Sequence, residues 1–383
     1  MANNRVYYAI QQVAFSDNEG TSDFTAAHGV QSVGITTTFN LEQAFELGQL
    51  ALYENVEGVP DVEVTCSKVL DGYIPLFCLA TADQTLLTFM GPELGRRALA
   101  KCKLQLGIWD ESNESAGQNA STAGTWVEMS GLQISSVGYN FPLDDWFSED
   151  ITLVGNYKAW GAGQALNGVH CGFEYQPGAV SGGFPLNDDV PEASGERGGV
   201  NKRENLAFSL VSPSVDQTRF PTDIPGIGEN GGMGTAKVAS ISVSCDVGRE
   251  DIFALGSLEP YAKTVTWPVE VSSDFELTTA SGDLINAFDA CNPLSGCITK
   301  ANTSEQKIRV ATCEGLRLYL GKKSRLASVS YGGGDAGGGN AMVTYSYTTF
   351  NDFTVIHEGD VEASGGSPSG EVWWSGRSSY LDT

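Results

Sequence analysis

At 383 residues the chain is too long for one ordinary core and fits about two domains. Its hydrophobic share, 41%, is ordinary, and no apolar run reaches the ~20 residues that a membrane-crossing helix needs. The net charge of −25 is scattered rather than run together; it opposes ordinary nucleic-acid binding, which needs Lys and Arg to replace counterions at phosphates.

The opening stretch, MANNRVYYAIQQVAF, has neither a basic start with an apolar core nor a cleavage site, so synthesis in the cytosol is expected. From Val30 the chain enters a segment that it repeats. Val30–Tyr53 laid over Val238–Tyr261, an offset of 208, gives eight identities in 24 positions: Val30, Ser32, Glu42, Phe45, Leu47, Gly48, Leu50 and Tyr53 meet Val238, Ser240, Glu250, Phe253, Leu255, Gly256, Leu258 and Tyr261. Chance would give roughly one or two, so the pattern reads as duplication. Pro60 and Pro268 keep the offset, and a one-residue slip brings Val62–Thr65 onto Val269–Ser272.

Asn40–Tyr53 predicts a short amphipathic helix: Leu41, Ala44 and Phe45 share a face, Glu42 stands in the first turn, and Gly48 is placed as a C-cap. Glu250, Ile252, Phe253, Leu255 and Gly256 predict its counterpart. On that reading the matched residues are core and capping positions, with packing between subunits as the sharper alternative.

Further along, Lys103–Trp109 resembles Gly315–Gly321, Ser135–Tyr139 resembles Ala327–Tyr331, and DITLVGNY resembles AMVTYSYT. The first pair alternates as half-buried strands do. The offset falls from about 212 to 192, so the first copy carries about 20 extra residues around the polar segment 110–124. Each copy reads as mainly β with one short helix. This divides the chain into copy 1 at 1–165, a Gly/Pro/Ser-rich linker at 166–205, copy 2 at 206–359 and a tail at 360–383. The tail's Trp373, Trp374 and Tyr380 predict docking on a neighbour or on their own domain.

No catalytic constellation stands out, and neither a cofactor nor a metal is expected. His28, His170 and His357 are far apart, and the eight cysteines lack a CxxC pair, which argues against a zinc site or a disulfide framework. GIGENG, Gly226–Gly231, opens no helix pattern, and GKKS, Gly321–Ser324, lacks the upstream glycine of a phosphate-binding loop. The Gly-rich run Tyr331–Asn340 reads as a hairpin or loop rather than a calcium repeat. The acidic pairs Asp144/Asp145 and Glu149/Asp150 are what so acidic a chain contains anyway.

Taken together, HGVQSVGITTTFNLEQAFELGQLALYE, PDVEVTCSKVLDGY and DITLVGNYKAW in copy 1 resemble the tail-tube (major tail) proteins of tailed bacteriophages. So do RFPTDIPGI, ISVSCDVGREDIFALGSLEPYAKTVTWPVEV and VSYGGGDAGGGNAMVTYSYTTFND in copy 2. The resemblance covers roughly half the chain. It implies two tandem β-sandwich or barrel domains, each with a helix, and a hairpin from each joining a ring-shaped inner β-barrel around a DNA channel. Six such domains make a ring, so three chains are favoured over six. The implied partners are further copies in stacked rings, tape-measure, baseplate or hub and tail-terminator proteins, and a sheath if the tail contracts. DNA would pass without specific binding, no membrane is involved, and assembly takes place in the host cytoplasm. The rival reading is a surface-displayed carbohydrate-binding or adhesive β module of a virion.

Overall fold

The computed structural model describes the chain apart from residues 1–5, 7, 9–10, 18–24, 49, 51, 83–92, 109–124, 163–199, 207–223, 225–236, 258–259, 280–281, 284, 286–304, 307, 313–315, 322, 335–338 and 358–383. The 110–124 insertion, most of the 166–205 linker, the 360–383 tail, His170 and Gly226–Gly231 therefore lie outside the described residues.

The fold is mainly β, as the alternation predicts. The strands are β1 (Gln11–Asp17), β2 (Thr25–Ala26), β3 (Val30–Thr38), β4 (Leu41–Phe45), β5 (Leu52–Glu57) and β6 (Asp61–Val69). After the helices α1 (Leu76–Ala80) and α2 (Glu93–Leu99) come β7 (Cys102–Ile108), β8 (Thr125–Pro142), β9 (Ser148–Gly155) and β10 (Ala159–Ala162). The later strands are β11 (Lys237–Asp246), β12 (Arg249–Ile252), β13 (Ala262–Val265), β14 (Glu270–Thr278), β15 (Arg309–Ala311), β16 (Leu316–Tyr319), β17 (Arg325–Gly332), β18 (Met342–Phe350) and β19 (Thr354–His357).

Twelve strands form one antiparallel sheet. Its spine runs β3-β6-β9-β8-β11-β14-β18-β17. The spine consists of two blocks of the same order, β3-β6-β9-β8 and β11-β14-β18-β17, joined where β8 pairs with β11. The blocks share their irregularities. The register shifts between Val30 and Ser32 in β3 and between Val238 and Ser240 in β11. It shifts again between Ile134 and Ser136 in β8 and between Leu326 and Ser328 in β17. Such bulges bend a strand and fix its pairing.

The register also corrects the sequence alignment at one place. Thr38 faces Asp61 and Asp246 faces Glu270, so Val62 corresponds to Val271 and not to Val269. Both Val62 and Val271 are buried.

The two blocks differ beyond the spine. The first half of β8 pairs with β7 on one side and β10 on the other. In the second block β16 pairs with β19 directly. The first block thus has one strand more at this place among the described residues, and β8 passes from this outer part to the spine near Gly131, whose φ is +68°.

One core cluster spans both blocks, with Val64, Ile151, Val137, Val243, Val271, Phe275, Val343 and Tyr347 among its members. The helices lie on this side. Phe77 of α1 meets Phe353 edge-on at 6.0 Å between centroids, and Arg97 of α2 stands over the Phe77 ring at 5.6 Å and donates to Thr81 Oγ1 at 2.9 Å.

Candidate assembly surface

The two predicted helices are β-hairpins. In the first arm Leu41 faces Glu57, Gln43 faces Asn55 and Phe45 faces Leu52. In the second, Arg249 faces Val265 and Ile252 faces Ala262. Gly48 at φ +92° and Gly256 at φ +90° make the turns, so the left-handed conformation expected of a helix cap is present but closes a hairpin instead. The physical reason is length and setting. An isolated helix of so few turns is not self-supporting, and the arms project where no core waits to cover an apolar helix face.

The matched residues are accordingly not core. Glu42, Phe45, Leu47, Gly48 and Tyr53 are exposed on the first arm, and Glu250, Phe253, Leu255, Gly256 and Tyr261 are exposed on the second. The arms differ lower down: the first is exposed almost throughout, whereas Arg249, Asp251, Ile252 and Ala262–Thr264 are half-buried and Val265 is buried. Arg249 accounts for part of this. Its Nε donates to Ile134 O at 2.9 Å, its Nη2 donates to the same carbonyl, and burial lowers its pKa to about 10.

The strongest contrast lies along the strand edges. At the internal junction Val243 faces Tyr139 and Cys245 faces Val137, all of them buried. The equivalent residues at the two ends of the spine are Ile35 and Thr37 on β3, and Tyr331 and Val329 on β17. Among the described residues neither strand has a partner on its outer side. Tyr139 is 1% exposed; Tyr331, its counterpart, is 52% exposed. The chain thus carries one sealed junction and, at each end of the spine, an equivalent edge without a partner among the described residues.

The face of the spine away from the core carries Ser, Thr and Gly interspersed with carboxylates: Asp61, Glu63, Asp150, Asp246, Glu270, Asp274 and Glu276. Lys237 and Arg325 are the cations on these strands that face the same way. On β18 the expected alternation appears, with Thr344, Ser346 and Thr348 outward and Val343, Tyr345 and Tyr347 buried. Sequence reading could not place these carboxylates, because alternation alone does not say which side of a sheet meets the core.

The acidic pairs form no paired-carboxylate site. Asp150 lies on the open face, whereas its neighbour Glu149 is fully buried. Glu149 accepts hydrogen bonds from Leu76 N at 2.6 Å, Phe77 N at 3.0 Å and Tyr139 Oη at 2.7 Å. Burial still raises its pKa, against the pull of these bonds. It anchors α1 to the sheet. Asp145 accepts from Trp146 N at 2.8 Å, and Asp144 pairs with Arg203 in solvent at 3.5 Å. Gly321, at φ +89°, sits against Thr349 and Asp352, and no helix follows it as a phosphate-binding loop requires.

Buried thiols complete the picture: burial pushes Cys66 and Cys245 up to about 12, which leaves them unreactive. No group of His, Cys, Asp and Glu able to hold a metal occurs among the described residues. Nor is any helix among them long and apolar enough to cross a membrane.

No family model matches the chain, and no curated protein matches it. Among solved structures, a chain of the anti-feeding prophage baseplate is similar at 11% identity, over 42% of this chain and 98% of its own, with a TM-score of 0.30. A chain of the anti-feeding prophage tube-terminating cap is similar at 10% identity, over 43% and 95%, with a TM-score of 0.30. A chain of the sheath-tube complex of an extracellular contractile injection system in the extended state is similar at 12% identity, over 42% and 93%, with a TM-score of 0.29.

Proposed function

We propose that the chain is a virion structural protein, a tail-tube subunit with two tandem tube domains at 1–165 and 206–359. It self-assembles into rings, and the rings stack into a conduit for DNA. One observation carries this reading: the buried β8–β11 junction inside the chain, set against the open equivalents β17 and β3 at its ends. An edge strand of this length left unpaired invites another chain. A junction that is head-to-tail inside the chain generates, when repeated between chains, a closed ring or an open filament. Three chains closing six positions is the ring that the repeat favours.

The internal register supplies the external one. Since Ser244 faces Gly138 and Val243 faces Tyr139, Thr36 of one chain would face Ser330 of the next, and Ile35 would face Tyr331. The open face then lines the channel. Its carboxylates repel phosphates, and few cations stand among them to hold the nucleic-acid backbone, so that DNA slides. Tape-measure, hub and terminator proteins would meet such a tube at its bore and ends, with a sheath around it if the tail contracts. Catalysis has no part in this role.

The test is a Thr36→Cys, Ser330→Cys double variant, oxidised after assembly and viewed by electron microscopy. Covalent trimers from rings with a central channel are expected, while Thr36→Cys with Gly332→Cys, two residues out of register, stays uncrosslinked. The single-cysteine variants control for the native thiols. Chains that never form rings, or that crosslink equally in both registers, would count against the proposal.

A further inference from the structure

Within one chain the second arm leans on the neck of the first. Asp251 and Phe253 of the second arm, with Asn40, Gly58, Val59 and Asp61 at the first neck, line a groove of about 300 Å³. The two necks are closed alike: Gly58 N donates to Asn40 O at 2.6 Å, and Thr266 N donates to Gly248 O at 2.9 Å. Equivalent positions follow directly. Gly248, Thr266, Trp267 and Glu270 in the second neck stand where Asn40, Gly58, Val59 and Asp61 stand in the first, and Phe45 stands where Phe253 does.

Among the described residues the second neck is left exposed at Thr266, Trp267 and Glu270. Trp267 is 46% exposed, and Phe45 is exposed on the opposite side of the repeat. We infer that in the assembled ring Phe45 of one chain packs on Trp267 of the next, making the neck of the second arm a docking site for the first arm of another copy. This rests on the ring reading and adds a contact which that reading does not require.

The residue changes between the two necks suit the guest. Asn40 spans its groove by donating from Nδ2 to Val59 O at 2.8 Å and to Asp61 Oδ2 at 2.9 Å. Gly248 has no side chain to do this, and an indole replaces Val59, so an aromatic ring finds both room and an aromatic surface. The polar positions change together as well. The second arm carries the ion pair Lys263–Asp251 at 3.2 Å, beside the groove that Asp61 also lines. The first arm carries Gln43 opposite Asn55 instead. A neutral amide beside Glu270 can donate a hydrogen bond where a carboxylate would repel.

The experiment has two arms. Phe45→Cys with Trp267→Cys, oxidised after assembly, is expected to give covalent trimers, with Leu47→Cys and Trp267→Cys as the uncrosslinked control. Phe45→Ala is expected to raise the concentration for half-assembly about tenfold, with the thermal midpoint of the unassembled chain unchanged, because Phe45 is exposed there. Rings that keep the Thr36–Ser330 crosslink but show neither effect overturn this inference and leave the ring reading standing. Loss of the Thr36–Ser330 crosslink in otherwise unaltered protein overturns both.

Discussion

His28 shows how much a single side chain can report about its surroundings. It stacks on Tyr73 at 4.4 Å between ring centroids, and burial, with Lys68 adding to it and Asp71 opposing, lowers its pKa to about 4. Unfolded, the ring takes up its proton near pH 6.5; folded, it does so only near 4. Its contribution is therefore complete above pH 6.5 and is lost as the pH falls toward 4, to the extent of roughly 2–3 kcal/mol. Urea denaturation of the wild type and of His28→Gln at pH 7.5 and 4.5 checks this: the wild type should lose more stability by about that amount. Equal losses would show that the ring titrates alike in both states. Nothing in the sequence marks His28 for this role, since Lys68, Asp71 and Tyr73 reach it only through the β3–β6 pairing.

The arms belong to the scale of the element. The second arm already has a lateral neighbour, the first half of its own chain, yet Leu255 and Tyr261 stay exposed at and beyond its turn. In the proposed ring such a lateral contact would not reach the tips, which would leave them for the ring above or below. Leu47→Asp with Leu255→Asp should leave the chain's unfolding free energy within about 0.5 kcal/mol and let rings form, while tubes fail to elongate in electron micrographs. Long tubes from that variant would sink the assignment. The same residues show the limit of sequence reading. Leu41, Ala44 and Phe45 carry a helical spacing, and a glycine ends the run; both features also fit a hairpin. The choice between them was made by what surrounds the segment, and that information is tertiary. The strands were legible because their alternation continues for many residues, and the repeat was legible because Phe, Leu, Gly and Tyr recur in order. The strand edges were not legible: they are defined by the lack of a partner among the described residues, and pairing patterns have no sequence period.

For the whole molecule the decisive quantity is the charge of the open face. Replacing Glu63, Asp274 and Glu276 by Lys would turn three of its seven carboxylates into cations. Tubes of that variant should retain single-stranded oligonucleotide at low salt and release it at high salt, as counterion exchange at phosphates demands, whereas wild-type tubes should retain none at either. Co-sedimentation measures both. Retention by the wild type would mean that the open face does not line the bore.

The continuity of the sheet through β8 and β11 has a kinetic consequence. In the proposed three-chain ring half of the six strand junctions would form during folding, at the effective concentration of a tethered segment, and only three would remain to be found by collision. Closure then requires three bodies to meet rather than six. Each would arrive with its two edges already set at opposite ends of one continuous sheet, so a growing ring would accept a subunit in a single orientation.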